Sequence, residues 1–379
     1  MGKRRKKLLI LMTGYDIGGV ERTVTDLARE FKARDWDVRA LFAQPPDEAA
    51  RAVLLEWCCG QGVEADTSPE LLAALSPHSW RDVLGLRRLV AAHKPDIVNI
   101  QYGHNFIPLK DVLAVRLAGL SRLVVSIHHP EPWGEGPRHR INTGRASRLC
   151  DALVVPSRAT RQRLREADVS ARKIRIIPSG VPVPTRLPSR AEARARLGLP
   201  PDAFIVGCLA RLEPHKSVGD LIEAAARVPD PRGDLAVVVA GDGTERVALE
   251  DLAAARLGPR AIFLGRIPDE TVPDVYAAFD LFCLPSQLEG FGLVYIEAAY
   301  RGVPSIGANT GGVPDVILDG ETGLLVPPGD PDALAAALAR LRDDPGLRAR
   351  LGAAARARAY AEFTVERMAD RYAKVYAPR

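Results

Sequence analysis

Long apolar runs are absent from this chain. Runs such as residues 8–12 and 236–240 are of strand size and none reaches the length of a membrane span, which excludes a membrane-spanning helix read from hydropathy. Cysteine is sparse: Cys58, Cys59, Cys150, Cys208 and Cys283 show no metal-ligand spacing, and two adjacent cysteines make a poor disulfide framework. A zinc module and a small disulfide scaffold are therefore excluded, and reduced thiols in a cytoplasmic chain are expected. Aromatics make up only 6% of residues and do not interleave with basic ones, so no nucleic-acid partner is expected. The basic start runs through a short apolar stretch straight into Thr13-Gly14, unlike a secretory leader, and Lys6 stands where a myristoylation signal needs Ser or Thr. No phosphate-loop motif occurs, and no dinucleotide fingerprint follows the first strand. Gly241-Asp-Gly243 has Arg246 where a third glycine would stand, and it reads as a tight turn into a helix. Low-complexity segments and short-period repeats are also missing.

What is present fits two soluble domains. The 379 residues, 47% apolar and 26% charged, exceed one ordinary core. Charge is uneven: residues 1–178 carry a net +9 and residues 179–379 a net −4. Basic runs stand at residues 3–7 and at Arg158, Arg161, Arg163 and Arg165. Attraction to an anionic lipid surface or acceptor is one reading, and a frayed tail with a solvated helix face is the other.

Both halves alternate strand and helix. Residues 7–12 are a continuous apolar run, as a buried parallel strand requires, and Val20, Val24, Leu27 and Phe31 then mark a helix face. Further strands are expected at 38–43, 95–100, 123–127, 152–156 and 174–178. Pro182, Pro184 and Pro188 mark an interdomain linker. The pattern then restarts with strands at 204–209, 235–240, 261–264, 281–285 and 304–306. Asp330-Pro331 opens a helix, and the last helix, about 364–376, carries Phe363, Met368, Tyr372 and Val375 on one side. Such alternation predicts α/β architecture with parallel sheets.

The chemistry concentrates at strand ends, where open α/β sheets bind ligands. Residues 289–297 read Glu-Gly-Phe-Gly-Leu-Val-Tyr-Ile-Glu, a strand-to-helix bend with Gly290 and Gly292 at the turn. It would present backbone N–H groups together with two carboxylates, Glu289 and Glu297, suited to sugar or ribose hydroxyls. The plain alternative makes Glu289 a helix cap and Glu297 a solvated charge. Arg211 and Lys216 follow the 204–209 strand and suit a diphosphate, or are simply two surface cations. Gly18-Gly19 precedes a helix after the first strand, where missing side chains let a ligand approach the amides or merely allow the turn. His128 and His129 end the 123–127 strand and point to opposite faces, and His104 lies in the loop after residue 100. No third ligand stands at zinc spacing.

Arg211-Leu-Glu-Pro-His-Lys216, Gly18-Gly19, the Glu289–Glu297 segment and Gly311-Gly312-Val-Pro314 together resemble the retaining nucleotide-sugar glycosyltransferases of family 4, which have the GT-B fold. The likeness spans nearly the whole chain and is densest over residues 178–328. It implies two Rossmann-like parallel-sheet domains facing across a cleft. Residues 1–180 would be the acceptor side, 181–360 the nucleotide-sugar side, with a helix at 361–379 packing back on the first. It implies catalytic roles for His128, Arg211, Lys216 and Glu289. Donor contacts would come from Gly18, Gly19, Gly241, Ile267, Gly290, Phe291, Gly292, Leu293 and Glu297. His128 would lie next to the transferred sugar, with His129 standing where relatives often have Asp. The implied activity is transfer of a hexose-type sugar from a nucleoside diphosphate to a carbohydrate or lipid-linked acceptor, in polysaccharide, lipopolysaccharide or glycolipid synthesis, with no cofactor. The metal-holding Asp-x-Asp of the GT-A fold has two look-alikes, Asp35-Trp-Asp37 and Asp330-Pro-Asp332, which read as turn and cap residues, so no metal is expected. A phosphorylase-like protein would need a pyridoxal lysine, which nothing marks. A catalytically inactive sugar-nucleotide-binding scaffold is the non-enzyme alternative.

Overall fold

A computed structural model describes residues 4–15, 17–69, 71, 80–104, 106–119, 122–129 and 137–377. Gly2 and Lys3, at the start of the basic run, lie outside them. The chain divides into two compact units, Met1–Pro182 with Thr364–Arg379, and Val183–Phe363. These boundaries fall two or three residues later than the sequence pattern places them. Local bonding gives the reason. Gly180 donates its N–H to Met368 Sδ at 3.2 Å and Val181 bridges Thr364, so both stay with the first unit. Phe363 leaves the terminal helix face expected for it and instead stacks edge-on against Phe291 in the second unit.

The first unit is built on a seven-stranded parallel sheet: β1 (Lys7–Met12), β2 (Asp37–Ala43), β3 (Ala65–Ser68), β4 (Ile97–Tyr102), β5 (Arg122–Ile127), β6 (Ala152–Val155) and β7 (Ile174–Ile176). Their order is β3-β2-β1-β4-β5-β6-β7. Apolar clusters cover both faces, which is why β1 and β5 read as continuous runs rather than alternating ones. The helix Val365–Tyr376, capped by the Thr364 hydroxyl, closes one face with Val365, Met368, Ala369, Tyr372, Val375 and Tyr376.

The second unit holds β8 (Phe204–Leu209), β9 (Leu235–Ala240), β10 (Ala261–Gly265), β11 (Leu281–Leu284), β12 (Ser305–Ala308) and β13 (Gly323–Val326), all parallel, in the order β10-β9-β8-β11-β12-β13. Each sheet therefore reverses its winding once, between β1 and β4 and between β8 and β11. That reversal opens a crevice at the carboxyl ends of the two strands, the place where doubly wound sheets take ligands. Among the described residues no helix is long and apolar enough to cross a membrane.

Candidate active site

The loops leaving β8 and β11 straddle the reversal of the second sheet. The β8 loop carries Arg211 and ends in a single 3₁₀ turn, Pro214–Lys216. The β11 loop carries Ser286 to Gly292. Gln287 donates its N–H to the His215 carbonyl at 2.9 Å, tying the loops together. Beside that tie, Lys216 Nζ donates to Glu289 Oε2 at 2.8 Å, with side chains only 15% and 10% exposed. Ser286 Oγ approaches the same carboxylate oxygen at 3.5 Å. Ser217, directly after Lys216, sits at φ +51°, a left-handed conformation uncommon for a non-glycine residue, and its buried hydroxyl has no partner among the described residues. Arg211 is exposed and forms no ion pair among the described residues. Burial, then the charges of Lys216 and Arg211, lower the pKa of His215 and keep that ring neutral between them.

Two neighbouring loops support this pair through glycines. Gly241, at φ +131°, brings the β9 loop so close that an added Cβ would stand 1.9 Å from the Ala210 carbonyl oxygen. The close approach lets Leu212 N–H donate to Asp242 O at 2.9 Å and the Thr244 hydroxyl to Glu213 at 2.8 Å. Gly311 plays the same part for the β12 loop, where a Cβ would meet the Glu289 carbonyl oxygen at 2.0 Å, and Gly312 N–H donates to that oxygen at 3.0 Å. Glu289 is thus held by its own backbone as well as by Lys216.

The helix Leu293–Tyr300 begins at Gly292, which is left-handed at φ +94° and gives no side-chain cap. Glu289 is not that cap; it is committed to Lys216. Phe291 is buried against Phe363, so the stretch from Gly290 to Leu293 offers backbone N–H groups at a positive helix end. Glu297 lies one turn into the helix, half-buried, and accepts a 2.6 Å hydrogen bond from the Tyr276 hydroxyl. Ile267, half-buried, follows β10, whose Gly265 carbonyl accepts from Gly241 N–H at 2.7 Å.

In the first unit, Gly18 is the extended residue before the helix Gly19–Ala33, and its N–H donates to Glu21 Oε2 at 3.1 Å. Gly19 is exposed at the first helical position. His128 follows β5, is 7% exposed, and hydrogen-bonds through Nε2 to Gln101 Oε1 at 2.7 Å. Burial, with the neighbouring His129 adding to it, pushes its pKa down to about 3, so the ring is neutral. His104 accepts a hydrogen bond from the Phe106 N–H, and burial lowers its pKa as well. The Asp-x-Asp look-alikes serve the backbone. Asp35 sits at φ +64° in a turn, Asp37 opens β2, and Asp330 caps the helix Pro331–Asp343 by accepting from Ala333 N–H at 2.9 Å. Among the described residues no group of three or more His, Cys, Asp and Glu side chains is placed to hold a metal ion.

Known proteins resemble this chain over most of its length. The family model described as "Glycosyltransferase Family 4" matches residues 17–183, and "Glycosyl transferases group 1" matches 189–358. A GDP-mannose-dependent monoacylated alpha-(1-6)-phosphatidylinositol monomannoside mannosyltransferase of Corynebacterium glutamicum is 33% identical over 270 residues, 68% of this chain and 70% of that one. The chain belongs to glycosyltransferase family 4. A D-inositol 3-phosphate glycosyltransferase of Streptomyces scabiei is 30% identical to this glycosyltransferase over 377 residues, 91% of this chain and 83% of that one. The crystal structure of Anabaena Alr3699/HepE in complex with UDP superposes with a TM-score of 0.80 at 24% identity, covering 97% of this chain and 99% of that one, and shows the common GT-B fold.

Sequence reasoning placed Arg211, Lys216 and Glu289 on these loops and Glu297 one turn into the helix that follows, but did not single out Tyr276, Ser286, Gln101 or Tyr372. Gln101 had a usable signal, since with Asn99 it interrupts the buried strand β4 with amides. Tyr276 had none: a tyrosine on a short helix reads as core.

Proposed function

We propose that this glycosyltransferase moves a hexose from a nucleoside diphosphate to an acceptor hydroxyl with retention at the anomeric carbon and without a metal, in polysaccharide, lipopolysaccharide or glycolipid synthesis. The observation that carries the reading is the Lys216–Glu289 pair at the winding reversal of the second sheet. A cation there, with Arg211 exposed on the same loop and the amides of Gly290 to Leu293 opposite, meets the charge that grows on a departing diphosphate. Glu289 has lone pairs enough to hold Lys216 and a donor-sugar hydroxyl together. Glu297, steadied by Tyr276, would take the ribose. The backbones of Gly18, Gly19 and Gly241 would approach phosphate, and Ile267 would line the base. His128 would contact the transferred sugar, and the first unit would take the acceptor. No side chain is assigned as a covalent nucleophile, and attack on the face of departure accounts for retention.

Relatives named for GDP-mannose and for inositol-containing acceptors make that pair the first to test. Exposed Arg158, Arg161 and Arg165 on the helix Arg158–Glu166 favour peripheral contact with an anionic membrane at its cytoplasmic face. The deciding experiment mixes the protein with GDP-, UDP- and ADP-hexoses and a set of inositol, glycolipid and saccharide acceptors. It follows release of the nucleoside diphosphate and reads the product anomer by NMR. Transfer with an inverted anomer overturns retention, and binding without transfer or hydrolysis overturns catalysis in favour of a sugar-nucleotide-binding scaffold.

A further inference from the structure

The sheet face covered by Val365–Tyr376 holds a row of fully buried polar side chains, Asn99 and Gln101 on β4, Ser126 on β5 and His128 just beyond it. Their hydrogen bonds have a direction. Asn99 Nδ2 donates to the Tyr376 hydroxyl at 2.6 Å, and Ser126 Oγ–H donates to Asn99 Oδ1 at 3.0 Å. A hydroxyl has one proton. The Ser126 proton is committed to Asn99, so the 3.1 Å contact between Ser126 Oγ and the Tyr372 hydroxyl is donated by Tyr372. The Tyr372 oxygen then has only lone pairs for its next neighbour, the Gln101 amide. Only an N–H suits that side, and Gln101 Nε2, which is buried and reaches no described residue, Tyr372 included, in good hydrogen-bond geometry, is the donor that the amide has to offer it. Gln101 Oε1 consequently faces His128 as an acceptor at 2.7 Å.

We infer that Tyr372 and Gln101 are positioning residues that fix His128 as its Nε2–H tautomer, leaving Nδ1 as the acceptor for a hydroxyl of the transferred sugar. The sugar contact rests on the role proposed for His128 above; the tautomer does not. Reversing the chain would require both amides to flip and both shared hydroxyls to turn together, and it would move the ring proton to Nδ1. The titratable groups facing the ring are His129 beside it and Tyr372 from the terminal helix. Val154, Val155, Pro156, Ile177, Ser179 and Met368 line the same small cavity as the ring, and none of them is charged. With the ring neutral over the working pH range, the tautomer is what the network controls.

Long-range proton–nitrogen NMR on the full chain labelled at histidine, with His128→Gln assigning the signal, reads the tautomer directly. Wild type is expected to show a protonated Nε2 and a bare Nδ1. Tyr372→Phe frees the Gln101 amide to turn, so His128 should become a mixture of tautomers, with turnover several-fold lower and the donor KM within about twofold. Gln101→Glu puts a carboxylate on Nε2 and should give an imidazolium near neutral pH and a new pH dependence of turnover. Gln101→Met, which keeps volume without an acceptor, should lose the tautomer preference while keeping the fold. A wild-type ring protonated on Nδ1 overturns the inference. So does a wild-type spectrum retained in both Tyr372→Phe and Gln101→Met. A tautomer that shifts in these variants while transfer stays unchanged supports the inference and removes the sugar contact proposed for His128.

Discussion

Lys216 and Glu289, 73 residues apart, form a 2.8 Å ion pair that joins the loops after β8 and β11. A cation and a carboxylate so placed act on fold and reaction alike, and two variants separate the effects. Lys216→Ala strands a mostly buried carboxylate, which should lower stability by up to about 3 kcal/mol, the figure for a broken buried pair reduced for the residual exposure. It should also cut turnover by roughly 2–4 kcal/mol in activation free energy, as lost oxyanion donors do. Arg211→Ala removes an exposed cation, so stability should stay within about 0.5 kcal/mol while turnover still falls. Urea melts beside initial rates check both, and wild-type turnover in either variant removes that residue from the diphosphate site.

Tyr276 and Glu297 give a prediction about binding. The tyrosine is buried and its hydroxyl donates to the carboxylate at 2.6 Å, fixing the orientation in which Glu297 would meet a ribose. Glu297→Gln should weaken nucleoside diphosphate binding by about 1.5–3 kcal/mol, the range for a hydrogen bond to a charged group. Tyr276→Phe should lose about 1 kcal/mol in the same titration by loosening the carboxylate. Both act on ground and transition state alike, so they should raise the donor KM, whereas Glu289→Gln should lower turnover. Calorimetric titration with GDP and UDP reads the first two. A Glu297→Gln protein that binds as tightly as wild type would leave Glu297 as a helix-face charge.

The elements legible in the sequence are those buried on both faces. Strands β1, β5, β8 and β9 announce themselves as apolar runs because helices cover them on either side. Ala65–Ser68 and Gly323–Val326 escaped notice for opposite reasons. The first is a polar edge strand, and the second is four residues long behind a turn. The positions of candidate residues were legible wherever a strand end alone located them, as for Arg211 and Lys216 after β8 and Gly18 after β1. Pairing was not legible. Read alone, Glu289 fits a helix cap as well as a ligand, and only the adjacency of β8 and β11 brings Lys216 to it. The run from Tyr376 to His128 needs the terminal helix laid on the first sheet, 246 residues separating Ser126 from Tyr372, and local pattern carries no trace of it.

Transfer should survive EDTA. Both Asp-x-Asp sequences are engaged in turns and caps, and Lys216, Arg211 and the start of the helix Leu293–Tyr300 supply positive charge where a diphosphate would lie. Rates measured with and without chelator decide it. Activity lost on chelation and restored by magnesium or manganese would show that these cations are not sufficient.

His128 should also leave a mark on acid stability. Burial lowers its folded pKa to about 3, whereas the unfolded chain has the ordinary value of about 6.5. Between those values the unfolded state binds the proton and the folded state does not, so stability rises with pH through the window and is lost as pH falls towards 3. At about pH 4.5 the loss due to this one ring is roughly 2–3 kcal/mol. His104 and His215, also depressed, add acid sensitivity of the same sign. They are present in wild type and in His128→Gln alike, and cancel in the difference between the two proteins. His128→Gln keeps a donor for Gln101 but has nothing to protonate. Whatever the substitution costs at pH 7.5, the gap to wild type should therefore narrow by that amount at pH 4.5, and urea denaturation at the two pH values measures it. A gap that stays constant would mean that the ring is protonated in the folded protein well above pH 4.5. A charged imidazole needs a lone pair on every side it faces. Gln101 Oε1 would still serve Nε2, and Nδ1 would need an acceptor of its own.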